Sequence, residues 1–297
     1  MSDITVINDS EQSSLVTNGL AKNGELYLKA AGSTDAGAIV VYDSGSWRTF
    51  ANEAVSYQNQ YSLALDGTND YVEVADSDDF SFGNGSTNSA FSYSFWVRVE
   101  RTNAFQHLVS KGSSSNSEYL IQFSSGGYGF SANCIFFALY PGSTSGAVVV
   151  SPANSISADT WYHVVCTADG TGNRSGMKIY IDGVSQTLTA SGQSSITMDN
   201  YTDPLRFGAR SSNTTPNSYL QGKMDEISLF NSELSSSNVT SIYNSGAPDD
   251  LSSLSPVGWW RMGEDDSGTG TTITDQGSGS NDGTLTNGPT FSTDIPS

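Results

Sequence analysis

The chain has 297 residues, and 31 acidic against 12 basic side chains leave a formal net charge of -19. Phosphate contacts supply most nucleic-acid affinity, so this balance argues against DNA or RNA as a partner and against the surface of an anionic bilayer. Apolar residues make up 36% and recur in alternating runs, which argues against disorder, while 30 glycines among long Ser, Thr and Asn stretches describe a turn-rich β protein.

Met1 to Thr5 lacks the basic start and apolar run of a secretory peptide. No stretch approaches the ~18 consecutive apolar residues of a membrane span. The expectation is a chain folded in a reducing cytosol, with Cys134 and Cys166 as buried free thiols.

Residues 1 to 56 read as a small separate β unit. Strands are predicted over Glu25–Lys29, Ala38–Tyr42 and Trp47–Phe50, with turn chemistry at Gly32–Gly37 and Asp43–Ser46. Ordering backbone costs about 1–2 kcal/mol per residue, and a fully buried apolar side chain returns roughly 1.5–3 kcal/mol. Three short strands fall short on that basis. Leu26, Leu28, Ile39, Val41, Trp47 and Phe50 are therefore expected to attach the unit to another surface. That surface is the main domain, a second copy in an oligomer such as a trimer, or a larger assembly.

Residues 57 to 247 carry the main core. Phe91, Tyr93, Phe95, Val97 and Val99 form a period-two stripe, with Ser92, Ser94, Trp96 and Arg98 on the other face. Further strand-like runs lie at Tyr61–Leu65, Tyr71–Val74, His107–Val109, Glu118–Phe123, Cys134–Tyr140, Trp161–Cys166, Met177–Ile181, Leu205–Gly208 and Met224–Phe230. Asp182-Gly183 is a tight hairpin turn. One short helix is predicted, capped by Ser235 to Ser237, with Val239, Ile242 and Tyr243 on one face and Gly246 ending it. Many short antiparallel strands with polar turns predict an all-β, two-sheet sandwich. Residues 248 to 297 open with a Pro/Asp/Ser linker, continue with Trp259-Trp260-Arg261-Met262-Gly263-Glu264, and end in Gly- and Asp-rich loops before Gly283–Phe291.

Three pieces in order resemble the laminin-G-like members of the concanavalin A-like lectin/glucanase superfamily: Leu65–Val72, Trp161–Val165 with Ile179–Val184, and Gly222–Ile227. The resemblance implies an antiparallel jelly-roll sandwich with one concave face. The stretch from Trp259 to Phe291 looks like the segment that usually opens such a domain, yet here it stands last. It completes its own sandwich as a circular permutation, reaches into a neighbouring copy, or begins a truncated repeat; completion in cis is the favoured reading, because sandwich termini often lie close together. Gly24–Leu28, Ala36–Tyr42 and Trp47–Phe50, with the Trp-Trp-Arg-Met-Gly-Glu run, resemble parts of structural proteins of marine tailed bacteriophages. This implies a virion surface protein, in capsid decoration, a head fibre or a tail fibre, assembled in the host cytoplasm against other virion proteins. A bacterial extracellular carbohydrate-binding module is the alternative.

Glucanases of the superfamily place two acids at alternate positions of one strand. In Met224–Phe230 no second acid follows Asp225 at two or four residues, and Glu226 is expected on the opposite face, so a hydrolytic pair is missing and a non-enzymatic protein is expected. His107 and His163 are lone histidines, with His163 expected as a packed strand residue. The family implies one structural calcium, for which Asp66 and Asp225 are the candidate ligands, with Asp70 and Asp275 as further ones. The alternative is that Asp66 and Asp182 only serve tight turns and Asp70 caps a loop. Sugar stacking would fall to Tyr128, Tyr140 and Tyr219 on loops, or these rings pack against neighbouring loops or subunits.

Overall fold

The computed structural model describes residues 57–127, 130–142, 145–212 and 215–297, together with four strands within the first fifty residues. The chain divides into two compact units, Met1–Gln58 and Asn59–Ser297. In the first, β1 (Thr5–Ile7), β2 (Leu26–Lys29), β3 (Ile39–Asp43) and β4 (Ser46–Phe50) form one sheet in that order. The first pair is parallel and the others antiparallel. Three of these strands coincide with those expected; β1 adds a fourth, from a run too short to distinguish from loop. The register sets Leu26 opposite Val41, Leu28 opposite Ile39, Ile39 opposite Phe50, and Trp47 opposite Tyr42.

The second unit is the expected all-β sandwich. Its strands are β5 (Ser62–Asp66), β6 (Tyr71–Val74), β7 (Phe91–Val99), β8 (Gln106–Gly112), β9 (Ser117–Gly127), β10 (Phe130–Leu139), β11 (Ala147–Val150), β12 (Trp161–Ala168), β13 (Met177–Ile181), β14 (Val184–Ser185), β15 (Thr189–Gly192), β16 (Leu205–Phe207), β17 (Arg210–Ser212), β18 (Thr215–Asn217), β19 (Gln221–Phe230), β20 (Gly258–Trp260), β21 (Thr272–Ile273), β22 (Gly283–Thr286) and β23 (Thr290–Ser292), with one α-helix, α1 (Ser236–Tyr243), among its described residues. Nine strands pair in the order β15-β11-β10-β9-β8-β16-β6-β22-β21, and seven in the order β14-β13-β12-β7-β19-β5-β23, with β20 added beside β19.

The core lies between the sheets. Phe91, Tyr93, Phe95, Val97 and Val99 all enter it, opposite Ile121, Phe123, Ile135 and Phe137 of the other sheet. Burial of this stripe supplies the driving force that the alternation predicts, at roughly 25 cal/mol per Å² of apolar surface. The other face of β7 is buried as well, because α1 covers it: the Tyr243 ring stacks 6.0 Å from that of Trp96. Ser235 caps this helix through the Asn238 N–H at 3.1 Å. It ends at Asn244, whose φ of 45° is left-handed, two residues before the glycine expected to stop it.

The last fifty residues add strands to both sheets of their own chain. Thr284 pairs with Glu73, Phe291 with Leu63, and Trp259 with Ser228. Trp260 is fully buried, its ring 5.0 Å from Phe207 and 6.1 Å from Phe80. Residues 57 to 247 are therefore an open sandwich without this segment. Cys134 and Cys166 are free and buried.

Candidate functional site

The register separates the two carboxylates expected to share a cation. Asp66 pairs with Gln221 in β19, so Asp225 sits four residues further on, about 13 Å away at roughly 3.3 Å per residue. Asp66 and Asp70 remain together in one turn: Asp66 accepts the Thr68 and Asn69 N–H groups at 2.7 and 3.3 Å, and Asp70 accepts the Asp66 N–H at 3.2 Å. These bonds hold the Asp66 carboxyl below the usual range, with the Thr68 N–H the largest cause, whereas burial and the Asp66 charge raise Asp70. Asp275 is elsewhere again. It accepts N–H groups from Trp259 (2.7 Å), Gly277 (2.8 Å) and Asn281 (2.8 Å), and so organises the loop after β20.

Asp225 has two partners that sequence alternation could not supply. The β7–β19 register shifts between Asp225 and Ser228, and Glu226 lies in the bulge with a left-handed φ of 48°. Glu226 was expected on the opposite face; the bulge breaks the period of two and returns its carboxylate to the Asp225 side. Glu264, from the turn after β20, completes a group of three carboxylates with one oxygen each within 4.8 Å of the others. Asp225 accepts the Asn59 amide at 2.9 Å and the Glu226 N–H at 2.8 Å. Glu226 accepts the indole N–H of Trp259 at 2.6 Å and Nε of Arg261 at 3.1 Å. Glu264 Oε1 accepts the Gln60 and Tyr61 N–H groups, both at 2.8 Å.

Glu264 Oε2 and Asn59 Oδ1 are buried with no hydrogen-bond partner. Burial, and then the charges of Glu226 and Glu264, push the Asp225 carboxyl well above its usual range. Three carboxylates, the orphaned Glu264 Oε2 among their oxygens, form with the orphaned Asn59 Oδ1 an all-oxygen donor set that fits a hard cation such as calcium. The same burial closes the group to a polymeric substrate, since Asp225 is fully buried and Glu226 nearly so.

The outer face of the nine-stranded sheet presents different chemistry. Val72, Val74, Leu205 and Phe207 point into the core, so Tyr71, Glu73 and Arg206 point outward. The Arg206 guanidinium bonds Glu73 at 2.8 Å and lies 5.9 Å over the Tyr71 ring. Tyr219 stands beside them, its ring 6.4 Å from Tyr71. Further along the face, Leu120, Phe136, Ala138, Val148 and Val150 form a second apolar cluster, against which Tyr140 packs with Arg210 over its ring at 5.7 Å. Tyr219 is thus half-buried in an aromatic pair, while Tyr140 serves packing. Tyr128 lies outside the described residues. His163 is buried, and its Nε2 meets Ser94 Oγ at 2.8 Å; His107 is buried as well.

A two-sheet jelly roll closed by its own C-terminal strands defines a lectin-like sandwich. A laminin-G-type family model, described as the concanavalin A-like lectin/glucanases superfamily, matches residues 66–240, and the chain belongs to that superfamily. A candidate carbohydrate-binding protein from Bacteroides ovatus ATCC 8483 shares the fold with a TM-score of 0.57 and 18% identity, over 93% of this chain and 71% of that one. The heptameric SAP-like pentraxin from Limulus polyphemus matches with a TM-score of 0.42 and 12% identity, over 62% of this chain and 82% of that one. The CBM40 of the Ruminococcus gnavus IT-sialidase, bound to α2,3-sialyllactose, matches with a TM-score of 0.43 and 11% identity, over 61% and 97%. No curated protein matches the sequence.

Proposed function

We propose that this chain is a non-catalytic, glycan-contacting surface protein of a tailed-phage virion, with the sandwich facing outward and residues 1 to 56 docking it on other virion proteins. The observation that carries the glycan reading is the outer face of the nine-stranded sheet. There Tyr71 and Tyr219 offer ring surface to a sugar, and Glu73 with Arg206 offers charged acceptors and donors for its hydroxyls. A non-catalytic role agrees with the carboxylates at Asp225, Glu226 and Glu264, which are tied to Trp259, Arg261 and the Gln60 and Tyr61 backbone rather than opened to a groove. The cation proposed there is structural: Asp225, Glu264 and Asn59 would hold it, and its charge would stabilise the junction of β19 with the C-terminal segment.

The virion reading rests on the resemblance of the N-terminal strands, and on a unit too small to be stable unassisted. A homo-oligomer, a trimer among the options, would give these strands a second surface. A bacterial extracellular carbohydrate-binding module is the other reading, and the fold shared with the Bacteroides ovatus protein favours it equally. Mass spectrometry of purified particles separates them: the chain is expected among virion proteins, and its absence ends the phage reading. Removing residues 1 to 56 is expected to leave a folded monomer that no longer decorates particles; full occupancy by the shortened chain would refute the docking role. Glycan binding itself is expected to fall on Tyr71→Ala and Tyr219→Ala, and retention of full affinity by both variants would move the site elsewhere.

A further inference from the structure

The eight-stranded side of the sandwich carries an open cleft of about 540 Å³ between the β13–β14 turn and the C-terminal end of α1. Its size falls within the roughly 300–1,000 Å³ of small-ligand pockets. Tyr243 forms part of the wall. Its ring is held from behind by two others, with centroids 6.0 Å from Trp96 at 27° and 6.0 Å from His163 at 22°. The turn seats against the same ring: a Cβ on Gly183 would come within 3.1 Å of Tyr243 Cδ1. This aromatic surface is therefore fixed before any ligand arrives, which removes an ordering cost from binding.

Around it stand the groups that recognise hydroxyls. Asp182 gives one oxygen to the His163 N–H at 2.9 Å, which orients its carboxylate at the rim. Asn244 and Ser245 follow the helix with left-handed φ of 45° and 59° and are both exposed, as is Asp249. Val184, 63% exposed, is the exposed large apolar side chain among the described residues, and it lies on this rim. The described lining holds two carboxylates and no Lys, Arg or His. Such a cleft repels carboxylate, sulfate and phosphate groups, the more so in a chain of net charge -19. A ring wall, an aliphatic edge, acceptors, an amide and a hydroxyl without a cation suit an uncharged polyhydroxylated ligand.

We propose that the cleft bounded by Asp182, Val184, Tyr243, Asn244, Ser245 and Asp249 is a second saccharide site, selective for neutral over sialylated or sulfated glycans. This rests on the glycan-contacting reading and adds to it a separate site on the opposite sheet. The experiment is an array of neutral gluco-, galacto- and manno-oligosaccharides beside their sialylated and sulfated counterparts, followed by calorimetry and hydrogen-exchange footprinting of the full chain with the tightest neutral binder. Neutral glycans are expected to bind about tenfold or more tightly than their anionic counterparts. Protection is expected over residues 182–184 and 240–249. Asn244→Gly keeps the left-handed backbone and removes only the amide, and Asp249→Asn removes only a charge; each is expected to weaken binding about fivefold or more. Protection confined to 71–73 and 206–219, with both variants at full affinity, overturns the cleft while glycan contact stands. Preference for sialylated or sulfated glycans overturns the cleft too. Binding to no glycan overturns both readings.

Discussion

Glu226 accepts the indole N–H of Trp259 at 2.6 Å, across 33 residues of sequence and two neighbouring strands. Both side chains are buried. The bond closes a small circuit, since Arg261 donates to the other Glu226 oxygen at 3.1 Å while its guanidinium lies 5.3 Å over the Trp259 ring. The bulge that turns Glu226 toward this circuit is therefore fastened by the segment that closes the sandwich. Chain closure and the carboxylate group depend on the same residues.

Trp259→Phe tests that dependence. The ring volume is largely kept, and the donor to a buried carboxylate is lost. Hydrogen bonds to charged groups contribute about 1.5–3 kcal/mol, and the variant is expected to lose stability in that range by urea denaturation. A change under about 0.5 kcal/mol would show that the bond contributes little to closure.

Much of the fold was legible because several of its strands carry large apolar side chains at alternate positions. Phe91 to Val99 read directly as one inward stripe, and Phe91, Phe95 and Val99 lie where that reading put them. The C-terminal strands were legible only through resemblance, since Gly283-Thr284-Leu285-Thr286 carries one large apolar residue. The site was harder. Alternation placed Glu226 away from Asp225, and a bulge is a register defect between strands that a single strand does not encode. Glu264 becomes a partner only through a turn 39 residues beyond Asp225. The available signal was two adjacent acids in the run Met224–Phe230, otherwise made of apolar and small residues, where an unpaired charge would be costly.

Calcium is expected to stabilise the chain through Asp225, Glu264 and Asn59. A ligand at a hundred times its Kd adds about 2.7 kcal/mol, and each kcal/mol moves Tm by roughly 2–4 °C in a domain of this size. Differential scanning calorimetry in millimolar CaCl2 against EGTA should show a rise of several degrees. Asp225→Asn should lose most of that rise, and an unchanged Tm in the wild-type chain would remove the cation from the account.

Lys111 is a second buried centre with its own consequence. Its ammonium reaches Asp76 at 2.7 Å, Glu118 at 3.1 Å and the Tyr201 and Asp203 carbonyls at 2.6 and 2.7 Å, with no exposed side-chain surface. Burial raises the Glu118 carboxyl above its usual range, and Lys111 is the largest influence pulling it back. Lys111→Met strands that carboxylate, and the expected loss is about 3–5 kcal/mol. Adding Glu118→Gln should recover part of it, so a double-mutant cycle that is strictly additive would contradict the coupling.

His163 makes acid stability a test of the helix packing. Its imidazole is buried beside Trp96 and Tyr243 and bonded to Ser94 Oγ, and burial pushes its pKa down from 6.5 to about 3. Between those two values the unfolded chain binds a proton at this residue that the folded chain refuses. Stability from the neutral ring is thus fully present above pH 6.5 and declines as pH falls toward 3, by up to a few kcal/mol. Buried carboxyls with raised values, such as Asp275 and Asp182, act in the opposite sense, so the imidazole must be read as a difference. His163→Gln cannot titrate and should flatten the profile between pH 6.5 and 4 relative to the wild-type chain, even where it is less stable at pH 7. Urea midpoints collected every half pH unit for both proteins measure this directly. Parallel profiles would mean that the ring accepts its proton in place, and that α1 shifts to admit it without unfolding the sandwich.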